Sequence, residues 1–222
     1  MDAERSNTIR SQLFDPVFNR DSVGDTQSWI ETRNIGELPA LYYANAQFPA
    51  GRIGYTPGYA LANVDSVDVL VKGVGGHGAY PQATKDPIVL ASRIVGALQT
   101  LVSREISPLD SAVVTVGSFH AGAKHNIISD EAKLQVTVRA NDEETREQVI
   151  ATVERIAVNI GKAHGLPDNM PVTVTRLSGT PTTINDAALA RRLNAVMQRE
   201  LGAAAFQPFE QTNMGAEDFT YF

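Results

Sequence analysis

The stretch VDSVDVLVKGVGGHGAYPQATKDPIVLASRIVGALQTLV, residues 64–102, decides the fold. Its first nine residues alternate. Val67, Val69 and Val71 fall on one side and Asp68, Leu70 and Lys72 on the other, the pattern of a strand with one buried face. A glycine-rich loop, GVGGHGAYP (73–81), follows. Asp86 then stands where a helix cap is needed and Pro87 where the first helical residue tolerates proline. Ile88, Ala91, Ile94/Val95, Leu98 and Leu101/Val102 recur at spacings of three and four, which predicts an amphipathic helix.

Downstream, SAVVTVGSFH (111–120) is β-branched and strand-like, and EAKLQVTVR (131–139) alternates with Leu134, Val136 and Val138 inward. Asn141 and Glu144 resemble a capping box. Val149, Val153, Ile156 and Ile160 predict a second helix closed by a left-handed cap at Gly165. Val172 and Val174, between Thr173 and Thr175, predict a fourth strand. The order across Val64–Leu177 is β-α-β-β-α-β, the split-βαβ or ferredoxin-like pattern. This α+β unit packs both helices on one face of the sheet. The other face is left to Asp68, Lys72, Lys133, Gln135, Thr137, Arg139, Thr173 and Thr175. Its two edge strands need covering or pairing. Beyond it, GTPTTIND (179–186) is a turn-rich connector. Asn185 or Asp186 caps a third helix, striped by Leu189, Leu193, Val196/Met197 and Leu201 and ended by Gly202. The tail FQPFEQTNMGAEDFTYF (206–222) reads as a loop with a last turn. Upstream, Gly51, Gly54, Pro57 and Gly58 mark turns. Residues 1–37 show no sustained period, with a short helix over Thr8–Phe14 as the one candidate element.

Composition narrows the function classes. The 222 residues carry 19 Lys and Arg against 25 Asp and Glu, a net charge of −6, which argues against nucleic acid as a partner. The absence of Cys excludes disulfides, thiolate-bound zinc, iron–sulfur clusters and thiol catalysis. No apolar run reaches the ~18–20 residues of a membrane helix. MDAERSNTIR lacks the apolar core of a secretory signal, so a soluble cytoplasmic protein without a membrane partner is expected.

Several residues could carry chemistry. His77 sits in GGHG, where flanking glycines let the backbone approach a neighbour closely or adopt positive φ. A plain loop turn is the commoner role of such a lone His. GGHG lacks the Lys-Ser/Thr of a phosphate loop and the spacing of a dinucleotide loop. His120 and His125 flank a Gly-containing loop rather than one helix face, which disfavours a zinc pair. Asn126 is a turn residue by default and a ligand donor only if its loop faces a site. Arg139, ending a strand on the open face, is either solvated or a fork for a carboxylate. Glu217 and Asp218 are adjacent carboxylates, common on surfaces and also suited to acid–base or metal work. His164, in a helix's last turn, reads as structural.

Taken together, PAGRIGYTPGYALANVDSVDV (49–69), GVGGHGAYPQATKDP (73–87), HNIISDEA (125–132), VRAND (138–142), GTPTTIND (179–186) and MGAEDF (214–219) resemble one family. It is the zinc-dependent amidohydrolase and metallopeptidase family of the aminoacylase and carboxypeptidase-G type, in its hippurate hydrolase and indole-acetyl-amino-acid hydrolase branch. The resemblance runs from about Gln47 to Phe222. It implies a ferredoxin-like lid and dimerisation domain over 64–177. It also implies parts of a flanking catalytic α/β domain over 38–63 and 178–222, with 1–37 unassigned. The reaction implied is hydrolysis of N-acyl amino acids by zinc-activated water, in a homodimer. By resemblance, His77 reaches the partner subunit's site and stabilises the developing oxyanion, Asn126 lines that pocket, Arg139 binds the substrate carboxylate, and Glu217 and Asp218 lie on a cleft loop.

The departures are equally definite. The family's metal ligands lie mostly in an N-terminal half with a His-x-Cys-Gly-His-Asp-like segment and a Glu-Glu pair that includes the general base. This chain has no Cys and no His before His77. Tyr43 stands where a further ligand, normally His, is expected, and the family's last His falls beyond Phe222. Zinc or another divalent metal is therefore a cofactor of the family that this chain is not expected to bind alone. The expectation is a shortened, inactive member; the alternative is a dimerisation or interaction module without catalysis.

Overall fold

The computed structural model describes residues 53–208 and 214–221. The candidate helix at Thr8–Phe14, the segment 1–37 and Tyr43 lie outside them. The chain divides into two compact units, 59–184 with 211–222 and 1–58 with 185–210. In chain order the elements are β1 (Ile53–Tyr55), β2 (Gly58–Leu61), β3 (Val64–Lys72), β4 (Gly76–His77), α1 (Pro87–Arg104), β5 (Ala112–Ala121), β6 (Ile127–Ile128), β7 (Glu131–Ala140), α2 (Glu143–Ala163), β8 (Thr173–Thr180), β9 (Thr183–Asn185), α3 (Ala187–Leu201) and β10 (Phe206–Pro208).

In the larger unit, β5, β7, β3 and β8 lie side by side in that order, every pair antiparallel. With α1 and α2 as the two crossovers, this is the ferredoxin-like arrangement expected from the alternation. Val67, Val69 and Val71 stand opposite Val136, Leu134 and Ala132, and all six are buried. Leu90, Ile94, Leu98 and Leu101 of α1 and Val149, Val153 and Ile156 of α2 close the core over that face. Each such side chain contributes about 1.5–3 kcal/mol by leaving water. Ile88 does not join them: it is 36% exposed, and Leu90 takes the core position instead.

Both helices begin at an Asp. Asp86 Oδ1 accepts from the Ile88 and Val89 N–H groups, ahead of Pro87 at the first helical position. The second cap is Asp142 rather than Asn141. Asp142 Oδ1 accepts from the Thr145 N–H at 2.8 Å and its Oδ2 from the Thr145 hydroxyl at 2.8 Å. Asn141 is occupied elsewhere, as acceptor of the Tyr59 hydroxyl. Gly165 ends α2 with φ +71°, a conformation that other residues adopt at a cost. The fourth strand, β8, runs on to Thr180. In β5 the register slips between Val116 and Ser118, so Gly117 forms a bulge and Phe119 is brought opposite Leu134.

The small antiparallel ribbon β4–β6 has no counterpart in the hydrophobic pattern. Two-residue strands are too short for periodicity to register.

In the smaller unit, β1 pairs in parallel with β10, Ile53 opposite Phe206 and Tyr55 opposite Pro208. Asp186, not Asn185, caps α3, accepting from the Leu189 N–H at 2.6 Å. The Asn185 amide donates to Thr56 O at 2.9 Å. The expected stripe of α3 is present, but Leu189, Leu193, Val196 and Leu201 are exposed among the described residues. No helix among the described residues is long and apolar enough to cross a membrane.

Candidate functional site

The candidate residues fall into two groups, both in the larger unit. The first is the β4–β6 ribbon. His77 ends β4 opposite Ile127, and the Gly78 N–H donates to Asn126 O at 2.8 Å. His77 and Asn126 are thus neighbours, and both are exposed. The flanking glycines are required for close approach, not for positive φ. A Cβ on Gly75 would lie 2.5 Å from the Asp130 carboxylate, and one on Gly76 would lie 2.8 Å from Thr84. One on Gly78 would lie 3.1 Å from Asn126 O. Asp130 secures the base of the ribbon: its Oδ1 accepts from Gly75 N–H at 3.0 Å and its carbonyl from Gly73 N–H at 2.7 Å.

The second group lies at the other end of the sheet. Arg139, next to last in β7, donates from Nη1 to Met214 O at 2.7 Å. Residues 214–221 are further tied to this unit. Gly215 O accepts from Ala62 N–H at 2.9 Å, Thr220 Oγ1 donates to Thr182 O at 3.0 Å, and the Tyr221 hydroxyl donates to Gly179 O at 2.6 Å. Glu217 Oε1 accepts from the Asp218 N–H at 3.0 Å, just ahead of the 3-10 turn Asp218–Tyr221. Burial first, and the adjacent Asp218 carboxyl second, push the Glu217 carboxyl up to about 7. It therefore exchanges its proton near neutral pH, as an acid–base group must.

This end rests on a buried polar base that sequence reasoning missed. Asn63 is fully buried. Its Oδ1 accepts from Ala140 N–H at 2.7 Å, and its Nδ2 donates to Asp142 O and Thr182 Oγ1 at 3.2 and 3.1 Å. Asp65, also fully buried, takes a fork from Arg146 (Nε to Oδ2 2.6 Å, Nη2 to Oδ1 3.0 Å) and a third bond from Arg176 Nε at 2.7 Å. Arg146 and Arg176 reach on to Glu143 and Glu147. Gly179 makes room for this pairing, since a Cβ there would lie 2.1 Å from Asp65 Oδ1. No periodicity marks these residues; their partners come from distant segments.

The two groups do not meet within one chain. Lys72, beside the ribbon, stands opposite Glu131, while Arg139 lies at the far end of β7. At about 3.3 Å per residue, Glu131 and Arg139 are roughly 26 Å apart. His120 lies in β5 opposite Lys133, and His125 in the turn before β6. Among the described residues no three His, Cys, Asp or Glu side chains are grouped to hold a metal ion.

Comparisons with known proteins agree with this architecture. Residues 59–165 match the family model of the peptidase dimerisation domain. The chain is 34% identical to hippurate hydrolase of Campylobacter jejuni, over 96% of this chain and 57% of the relative. It is 36% identical to an IAA-amino acid hydrolase of Arabidopsis thaliana, over 95% of this chain and 47% of the relative. The chain thus spans about half the length of the curated relatives it matches. Among solved structures, a dinuclear metal binding peptidase of the M20 family from Bacillus subtilis superposes with a TM-score of 0.61 at 26% identity, covering 80% of this chain and 42% of that one. The donors described here do not fit such a dinuclear centre: the chain has no Cys, its four His are scattered, and none is joined by two acidic neighbours. Residues 59–165 are thus a peptidase dimerisation domain of the M20 type, and the chain around them is similar to amidohydrolases and metallopeptidases that carry that domain.

Proposed function

We propose that this chain is the lid-bearing portion of an amidohydrolase acting on N-acyl amino acids, that it pairs with a second copy through the lid, and that alone it does not turn substrate over. One observation carries the reading. His77 and Asn126 lie on the ribbon beyond the Glu131 end of β7, Arg139 and the Glu217 loop lie at its other end, and Glu131 and Arg139 are about 26 Å apart by strand rise. An N-acyl amino acid is far shorter than that, so a substrate that meets both groups draws them from two chains.

In such a site His77 donates a hydrogen bond to the scissile carbonyl oxygen as charge develops on it. Asn126, one hydrogen bond away across the ribbon, offers amide groups to the same pocket. Arg139 keeps further N–H donors beyond the one committed to Met214 O, and its planar fork suits the free carboxylate of the substrate. The family's divalent metal, when bound, would supply an activated water; the described donors of this chain do not fit that centre.

Metal analysis of the purified chain alongside an assay with N-benzoyl and N-acetyl amino acids tests the inactivity. The expected result is substoichiometric metal and no turnover; stoichiometric zinc with turnover overturns it. Light scattering on a size-exclusion column tests the two-chain site. A dimer is expected, and a strict monomer at high concentration sinks it.

The long outer edge of β5, paired only with β7 among the described residues, also favours a second reading, a dimerisation module without substrate. Calorimetric titration with an N-acyl amino acid separates the two. Saturable binding lost in Arg139→Ala belongs to the first reading, and no binding to the second.

A further inference from the structure

His77 is followed at once by a tight turn in which every main-chain donor is used. Gly78 N–H donates to Asn126 O at 2.8 Å, and Tyr80 N–H donates back to His77 O at 2.8 Å. Between them, Ala79 N–H donates at 3.1 Å to Nδ1 of the His77 ring itself. The Tyr80 ring flanks the imidazole with centroids 5.8 Å apart and planes inclined at 58°, within the range of favourable tilted aromatic pairs. A neutral imidazole carries one proton. If Nδ1 accepts, the proton resides on Nε2, and Nε2–H is the group offered to an outside partner.

We propose that the Ala79 main-chain N–H and the Tyr80 ring are positioning groups that hold His77 as the Nε2–H tautomer, presenting it as a hydrogen-bond donor to a carbonyl oxygen. The proposal rests on the reading of His77 as an oxyanion donor and adds what makes it one. The turn explains the Gly-Ala-Tyr run after the histidine. Gly78 lets the ribbon close on Asn126, and that closure aims the next N–H at the ring. Ala79 contributes only its main chain, so its side chain gives no sign of the role.

The test uses the full chain with ¹⁵N-labelled histidine and long-range proton–nitrogen correlation spectra. The chain has four histidines, and His77→Phe, which keeps a ring against Tyr80, assigns the His77 signals by their disappearance. The neutral His77 is expected to show a single Nε2–H tautomer with an unprotonated Nδ1. In Tyr80→Ala its signals are expected to shift toward a tautomer mixture. Amide exchange gives the reciprocal measurement. Loss of the acceptor in His77→Phe is expected to speed Ala79 N–H exchange roughly five- to tenfold, the worth of one ordinary hydrogen bond. An Nδ1–H or evenly mixed His77 in the parent chain overturns the proposal, as does an Ala79 exchange rate that His77→Phe leaves unchanged. Absence of ligand binding or of a dimer would strike the amidohydrolase reading alone, because the tautomer is read without substrate.

Discussion

The two ends of the ferredoxin-like sheet are built on opposite principles. At the ribbon end, His77 and Asn126 are exposed and held by main-chain hydrogen bonds, the Asp130 carboxylate and glycine clearances. At the other end, Arg139 and the 214–221 segment stand above Asn63 and Asp65, both fully buried and each making three side-chain hydrogen bonds. On the proposed function, a histidine that reaches into another molecule's site needs exposure and a defined direction, which a short ribbon supplies. A segment that must stay seated while carrying a titrating carboxyl needs an immobile floor. Buried charge supplies that rigidity only while its partners remain complete.

The largest test of this contrast is Asp65→Asn. It removes the buried counter-charge that Arg146 and Arg176 share, leaving them only the exposed Glu143 and Glu147, and is expected to destabilise the unit by about 3–5 kcal/mol in denaturant unfolding. His77→Ala, at the other end, is expected to stay within about 0.5 kcal/mol of the parent. Comparable losses from the two would erase the distinction.

Gly179→Ala comes next. Its Cβ would enter the Asp65 carboxylate, and an overpacking loss of about 1–3 kcal/mol is expected from the same unfolding measurement. A neutral outcome would mean that the Asp65–Arg146 pair yields easily.

Arg139→Ala removes a charged donor from Met214 O, worth about 1.5–3 kcal/mol of local stability at most. Faster amide exchange confined to 214–221, with the sheet unchanged, is the expected result. Uniform destabilisation of the whole unit would show instead that the segment is integral to the core.

The smallest effect is that of pH. Glu217, raised from its ordinary 4.5 to about 7, binds its proton more tightly in the folded chain. Its contribution is therefore fully present below about pH 4.5 and is lost as pH rises through about 7. Protection of 214–221 should fall between pH 5 and 8, and Glu217→Gln should flatten that fall. A rise in protection over the same window would reverse the sign and remove the carboxyl pair as its cause.

Much of the ferredoxin-like unit was legible because its elements are long. Nine or ten alternating residues in β3 and β7, and helical stripes in α1 and α2, give periodicity room to register. The caps at Asp86 and Gly165 were legible too, since a cap depends on a residue and its immediate neighbours. Where two polar residues competed, at Asn141 and Asp142, the cap went to Asp142 because Tyr59, 82 residues away, engages Asn141. The individual site residues stood out only by type and by their resemblance to a family. Nothing local told that Arg139 would brace Met214 or that Ala79 would touch the ring of His77.

By itself, then, the sequence determined the order β-α-β-β-α-β, which face of each element is apolar, and a composition with four His and no Cys. These follow from local spacing and composition. Only the tertiary structure decided that the candidates divide into two groups at opposite ends of a sheet, that Asp65 is buried between two arginines, and that His77 hands its Nδ1 to its own turn. Each of those depends on where distant segments meet. Packing sets that meeting through strand register and close backbone approach, and neither has a period that a linear reading can detect.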